Sequence, residues 1–227
     1  MNKKIGAWIF AAALSTAAIA PAQADLVTFD DMNPNVFGVG DSFTSGGFAF
    51  TADLAGFGVV DNSAGFVFGN APTNAESQFY AGLNDGGLTM TNLNGRALAV
   101  DGFQFAFIPP VEGVFPPGDV PGYLVASYVT WAGVSGQELF EFSAADADGL
   151  FAFSVGKAGL GGLGQYLQSV TFVACVNFAG QCFYPAENQA QFAIDNIYAR
   201  VPEPGSLGLA LLGLGLMAGV GRRRRSN

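Results

Sequence analysis

The 227-residue chain is half apolar, holds 32 glycines and 22 phenylalanines, and sets 18 acidic side chains against 9 basic ones. All the acidic residues lie between Asp25 and Glu203, where only Arg96, Lys157 and Arg200 oppose them, which makes nucleic acid a poor partner. Histidine is absent, which excludes a Ser/His/Asp triad, a Cys/His dyad and any zinc site that uses imidazole.

Taken in chain order, "MNKKIGAWIFAAALSTAAIAPAQAD" has a basic tip at Lys3 and Lys4, an uncharged run from Ile5 to Ala20, and small residues at Ala22 and Ala24. Sixteen such residues are short for a stable span, so residues 1–24 are expected to be a secretory signal cut after Ala24 by signal peptidase.

From Asp25 to Arg200 apolar residues alternate with small or polar ones, as in "GGFAFTA", "GFVFGN", "DGFQFAFI", "ELFEFSA" and "GLFAFSV". Period two means that one side of each segment faces a core, and phenylalanine supplies the repeated positions: Phe48, Phe50, Phe66, Phe68, Phe103, Phe105, Phe107, Phe140, Phe142, Phe151 and Phe153. Turn signals punctuate these runs at "NDGG", "NLNGR" and "DADG". The pattern predicts residues 25–200 as an all-β domain, an antiparallel β-sandwich of jelly-roll or lectin-like type with about nine or ten strands, a closed barrel being the alternative. The five prolines of "IPPVEGVFPPGDVPG", Ile108 to Gly122, predict a loop, since proline removes backbone donors.

Cys175 and Cys182 are the two cysteines, and in an exported chain they are expected to close a small disulfide loop. "GLGGLG", Gly159 to Gly164, matches a dinucleotide fingerprint in letters only, because the following "QYLQSVTFVA" reads as a strand where a helix N-terminus is required. "DADG", Asp146 to Gly149, lacks the later ligands of a calcium loop and is expected to turn a hairpin between "ELFEFSA" and "LFAFSV". "FDD" is expected to open the first strand and "FAIDNIYAR" to form the last. If those strands pair, Asp30 or Asp31 could converge with Asp195, and two carboxylates with backbone carbonyls would suit a structural calcium ion, the one cofactor the sequence offers. Glu138, Glu141, Asp146 and Asp148 contain no evident glycosidase pair, and Glu138 and Glu141 should point to opposite faces of one strand. Among the aromatic residues with a polar edge, Tyr123 and Trp131 are the expected contacts for a saccharide ring.

The chain closes with "VPEPGSLGLALLGLGLMAGVGRRRRSN". Prolines keep Val201 to Gly205 extended, and Ser206 to Gly221 is an uncharged stretch of sixteen residues, about 24 Å as a helix against roughly 30 Å of hydrocarbon. Arg222, Arg223, Arg224 and Arg225 then act as a stop that stays cytoplasmic, which puts the acidic domain across the inner membrane. This order of "VPEPG", short apolar helix and arginine cluster over residues 201–227 resembles the PEP-CTERM sorting signal of Gram-negative bacteria. The resemblance implies processing by the membrane protease exosortase, with Pro202, Glu203 and Pro204 as the recognition motif and transient anchoring in the inner membrane. It also implies a surface or extracellular role near exopolysaccharide, as in biofilm. It carries over no catalytic residue, since this chain is the protease's substrate. The expected function is a non-catalytic surface or matrix protein that contacts extracellular polysaccharide; a plain structural or adhesive protein and a polysaccharide hydrolase are the alternatives.

Overall fold

In a computed structural model the described residues are 24–62, 71–75, 77–110, 115–157, 159–162, 165–184 and 190–202. The signal segment, most of the sorting tail with its expected span, Phe66 and Phe68 lie outside them. Among the described residues no helix is long and apolar enough to cross a membrane.

Fourteen strands are described: β1 (Ala24–Val27), β2 (Asn35–Phe37), β3 (Ser42–Ser45), β4 (Phe48–Leu54), β5 (Phe57–Asp61), β6 (Phe79–Leu83), β7 (Gly86–Asn92), β8 (Ala99–Phe107), β9 (Gly122–Thr130), β10 (Ser135–Glu141), β11 (Ser154–Lys157), β12 (Leu167–Phe178), β13 (Gln181–Phe183) and β14 (Phe192–Arg200). They form two antiparallel sheets. The first runs β11-β8-β14-β6-β5-β2, with β1 also on β14; the second runs β10-β9-β12-β7-β4-β3, with β13 on β12. Two separate sheets, each with its own edges, make a sandwich and not a closed barrel, and the sandwich is one compact unit, Ala24–Val201. The strands outnumber the nine or ten expected because short edge pieces such as β2 and β13 are too brief to show a period.

Phenylalanine fills the space between the sheets. Phe48 and Phe50 of β4, Phe103 and Phe107 of β8, Phe172 of β12 and Phe192 of β14 are fully or almost fully buried. Each stabilises by about 1.5–3 kcal/mol relative to exposure. The rings meet edge to face, with Phe103 at 4.9 Å from Phe140 and 5.1 Å from Phe172, which adds about 0.5–1.5 kcal/mol per pair. A smaller core lies on the other side of the first sheet, where Val59, Phe79, Ala81, Ala106 and Ala193 pack under Ala71, Ala75 and Phe153. Strand β6, "FYAGL", is therefore buried throughout and shows no polar alternation.

Two local expectations are corrected. "FDD" does not open a strand: β1 ends at Val27, and Phe29 turns with φ +57° so that its ring enters the core while Asp30 and Asp31 stay exposed. "DADG" is a turn, with Gly149 at φ +76° and Asp146 Oδ1 accepting from the amides of Asp148 and Leu150, but it does not close a hairpin. It carries the chain from β10 in the second sheet to β11 in the first.

Candidate functional site

Strand β14 is central in the first sheet and supplies the buried charge. Phe192 and Ile194 face the main core while Ala193 faces the smaller one, so alternation sends Asp195 to the outer side of the sheet. The register then breaks: Asn196 takes φ +48°, the pairing with β8 shifts between Asp195 and Tyr198, and Ile197 returns to the main core. The partner on the other edge of β14 changes at the same place. Strand β6 pairs with Phe192 to Ile194, and β1 pairs from Ile197 onward. Asp195 therefore sits at the gap between the end of β1 and the start of β6.

Both flanking strand ends send groups to this gap. Ser77 Oγ donates to Asp195 Oδ2 at 2.6 Å, as does Asn196 Nδ2 at 3.1 Å. The next residue, Gln78, donates its backbone amide to Asp30 Oδ1 at 3.0 Å. Its side-chain nitrogen donates to the carbonyls of Phe29 at 3.3 Å and Met32 at 2.9 Å, which fixes the amide orientation. Two buried oxygens have no hydrogen-bond partner among the described residues, Asp195 Oδ1 and Gln78 Oε1. Burial pushes the Asp195 carboxyl up to about 7; hydrogen bonds from Ser77 and Asn196 oppose this, and the nearby charge of Asp30 adds to it.

Asp195 and Asp30 are tied to the consecutive residues Ser77 and Gln78, whereas Asp31 is held elsewhere. Asp31 accepts from Ser45 Oγ at 2.6 Å and from the Gly46 amide at 3.1 Å, in the β3–β4 turn. Among the described residues no three acidic, cysteine or histidine side chains gather closely enough to hold a metal by themselves.

The outer face of the second sheet has a different character. Backbone register aligns Ser42, Thr51, Thr89, Thr171, Ser127 and Gln137 on six successive strands, from β3 to β10. At about 4.8 Å per strand this uncharged polar row spans roughly 24 Å. Its hydroxyls interact, with Ser42 Oγ 2.9 Å from Thr51 Oγ1 and Thr89 Oγ1 2.8 Å from Thr171 Oγ1. Thr89 Oγ1 also donates to Asp53 Oδ2 at 3.1 Å. Toward β10 the row enters an open hollow of about 400 Å³, lined by Ser127, Val129, Ser135, Gln137, Ser169 and Thr171.

Tyr123 and Trp131 lie at opposite ends of β9, about 26 Å apart at strand rise. Tyr123 is half-buried beside Cys175 and Glu141, and Trp131 is exposed in the turn that joins β9 to β10. They do not share one sugar-sized site. The row and the hollow escaped sequence reasoning because they exist only once six strands are in register; the isolated signs are "FAFT", "LTMT" and "SVTF".

Cys175 and Cys182 form a disulfide with Cα atoms 5.5 Å apart, bracing the β12–β13 hairpin. Beyond it Phe178, Phe183 and Tyr184 stand exposed. After "GLGGLG" comes β12, a strand, so the helix needed for a pyrophosphate is not there.

A family model described as the PEP-CTERM protein-sorting motif matches residues 200–225, beginning at the last residue of β14. The chain carries a PEP-CTERM sorting motif. The motif implies export, transient membrane anchoring and processing by exosortase. No curated protein matches the chain. Among solved structures, its sandwich is similar to a DUF4465 family protein from Bacteroides caccae, at 14% identity and TM-score 0.52, over 79% of this chain and 100% of that one. The CBM22-1 xylan-binding domain of Paenibacillus barcinonensis Xyn10C aligns at 12% identity and TM-score 0.36, covering 82% of this chain and 99% of the other. The C-terminal family 22 carbohydrate binding module of Clostridium thermocellum Xyn10B aligns at 11% and 0.33, covering 79% and 91%. At these identities the first likeness establishes the fold of the chain and nothing about its ligand.

Proposed function

We propose that this protein is an exported, non-catalytic module at the cell surface or in the extracellular matrix, whose second sheet lies against neutral polysaccharide. The observation that carries this reading is the polar row from Ser42 to Gln137 opening into the hollow, with Trp131 exposed in the β9–β10 turn. Hydroxyl and amide side chains both donate and accept, which suits the vicinal hydroxyls of a sugar, and an exposed indole offers an apolar face to the CH groups of a pyranose. A shallow face that crosses strands suits an extended polymer better than a small molecule. The excess of carboxylates between Asp25 and Glu203 disfavours polyanions.

The non-catalytic reading rests on how the acids are used. Glu138 accepts from the Gly161 amide, Asp146 holds its own turn, and Glu138 and Glu141 occupy opposite faces of β10.

Affinity electrophoresis of the mature protein through gels containing neutral glycans tests the proposal. Retardation is expected, reduced several-fold by Thr171→Val, Gln137→Leu or Trp131→Ala with unchanged melting temperature. Equal mobility across the panel would move the assignment to a structural or adhesive protein without a glycan ligand, and release of reducing ends would move it to a hydrolase.

A further inference from the structure

The gap between β1 and β6 on the edge of β14 contains more acceptor oxygen than donor hydrogen. Asp195 is 3% exposed, and its Oδ1 has no partner among the described residues. Gln78 Oε1 is likewise buried and without a donor, although the amide cannot be turned to relieve it, because the nitrogen end already serves the carbonyls of Phe29 and Met32. Consecutive residues tie the two carboxylates together, Ser77 to Asp195 and Gln78 to Asp30, so the charges lie within a residue's reach of one another. Among the described residues no ion pair to either carboxylate is seen: Arg200 is paired with Asp101, and Arg96 lies in the β7–β8 turn. A buried carboxylate with one oxygen unpartnered, within the electrostatic reach of a second carboxylate and with an orphaned amide oxygen on the residue that binds the second, is costly unless a cation is bound there.

We propose that this gap is a divalent cation site, selective for calcium, in which Asp195 Oδ1, Gln78 Oε1 and the Asp30 carboxylate are the side-chain ligands. The donors are all oxygen, hard and anionic, with neither sulfur nor imidazole, which excludes zinc and copper as preferred guests. Calcium takes six to eight oxygens in irregular arrangements, so carbonyls of the two strand ends and water can complete the shell, whereas magnesium demands a regular octahedron. The ion would fasten the end of β1 and the start of β6 to β14 where the backbone ladder is interrupted. Asp31, held by Ser45 and Gly46, is not a ligand. The site is on the outer side of the first sheet, away from the polar row on the second, so either assignment can fail without the other.

Calorimetry on the full chain, freed of metal and then titrated with calcium chloride, tests the site. One equivalent should bind and melting should rise by roughly 5–10 °C at a hundredfold excess over the dissociation constant. Asp30→Asn, an exposed change that the fold tolerates, and Gln78→Leu should each weaken binding at least tenfold, while Asp31→Asn leaves it unchanged. Asp195→Asn should abolish binding and, by removing the buried charge, melt no lower than the chelated wild type. Absence of bound calcium at millimolar concentration, or equal affinity in the Asp30 and Gln78 variants, would overturn the proposal.

Discussion

Ser77 and Asp195 stand 118 positions apart, yet Ser77 Oγ donates a 2.6 Å hydrogen bond to Asp195 Oδ2 inside the first sheet. The bond joins the segment ahead of β6 to the last strand and leaves the other carboxylate oxygen without a donor among the described residues. Desolvation is thus only partly offset.

A pH dependence follows for the protein held in excess chelator. The Asp195 carboxyl is raised from 3.8 to about 7 by burial, so the folded state binds the proton more tightly than the unfolded chain. The protonated form contributes stability that is full below about pH 4 and is lost as pH rises toward 7. Chelated wild type should therefore lose melting temperature between pH 5 and pH 7.5 relative to Asp195→Asn. Parallel profiles for the two proteins would contradict the assignment.

Replacing Cys175 and Cys182 together by serine opens the eight-residue loop that they close. The chain-entropy relation gives a loss of about 2–2.5 kcal/mol, read as a lower urea midpoint with the slope nearly unchanged. The sheets do not depend on β13, so the variant should keep its native far-ultraviolet spectrum.

Gly122 is the first residue of β9, and a Cβ built there would lie 1.9 Å from the Cys175 carbonyl oxygen. Gly122→Ala must push apart the β9–β12 ladder at that point and should cost about 3 kcal/mol or more, at the upper end of overpacking penalties. A midpoint within experimental error of wild type would show that the two strands can separate there at little cost.

For the tail, replacing Pro202, Glu203 and Pro204 by alanine, or deleting Arg222 to Arg225, should leave an unprocessed, membrane-retained form in a host that carries exosortase. Immunoblotting of membrane and culture fractions reads this directly. Normal maturation of both variants would remove the sorting role from these residues.

The sandwich was legible because phenylalanine repeats every second residue in segments that pack on one side, as at Phe48 and Phe50 or Phe103, Phe105 and Phe107. Where a segment is covered on both sides, as in β6, the period vanished with the polar face. Asp195 could be singled out because it interrupts an apolar strand, but adjacent Asp30 and Asp31 were indistinguishable: which of two neighbouring side chains meets β14 depends on the left-handed turn at Phe29. Ser77 and Gln78 carried no signal, since they act through chain segments that only the folded pairing of β1, β6 and β14 brings together. The same holds for the threonine row, whose members are scattered from Ser42 to Thr171.

Strand β14 leads directly into the sorting motif, and it is hydrogen-bonded on both edges, to β8 on one and to β6 and β1 on the other. Tension applied through the tail enters the domain at this strand, and any component along the strand axis loads its ladders in shear, so that many hydrogen bonds must yield at once. A terminal strand at a sheet edge would instead unzip one bond at a time. While the tail holds the protein to a membrane or a processing enzyme, the domain is attached by a strand that is laddered on both edges.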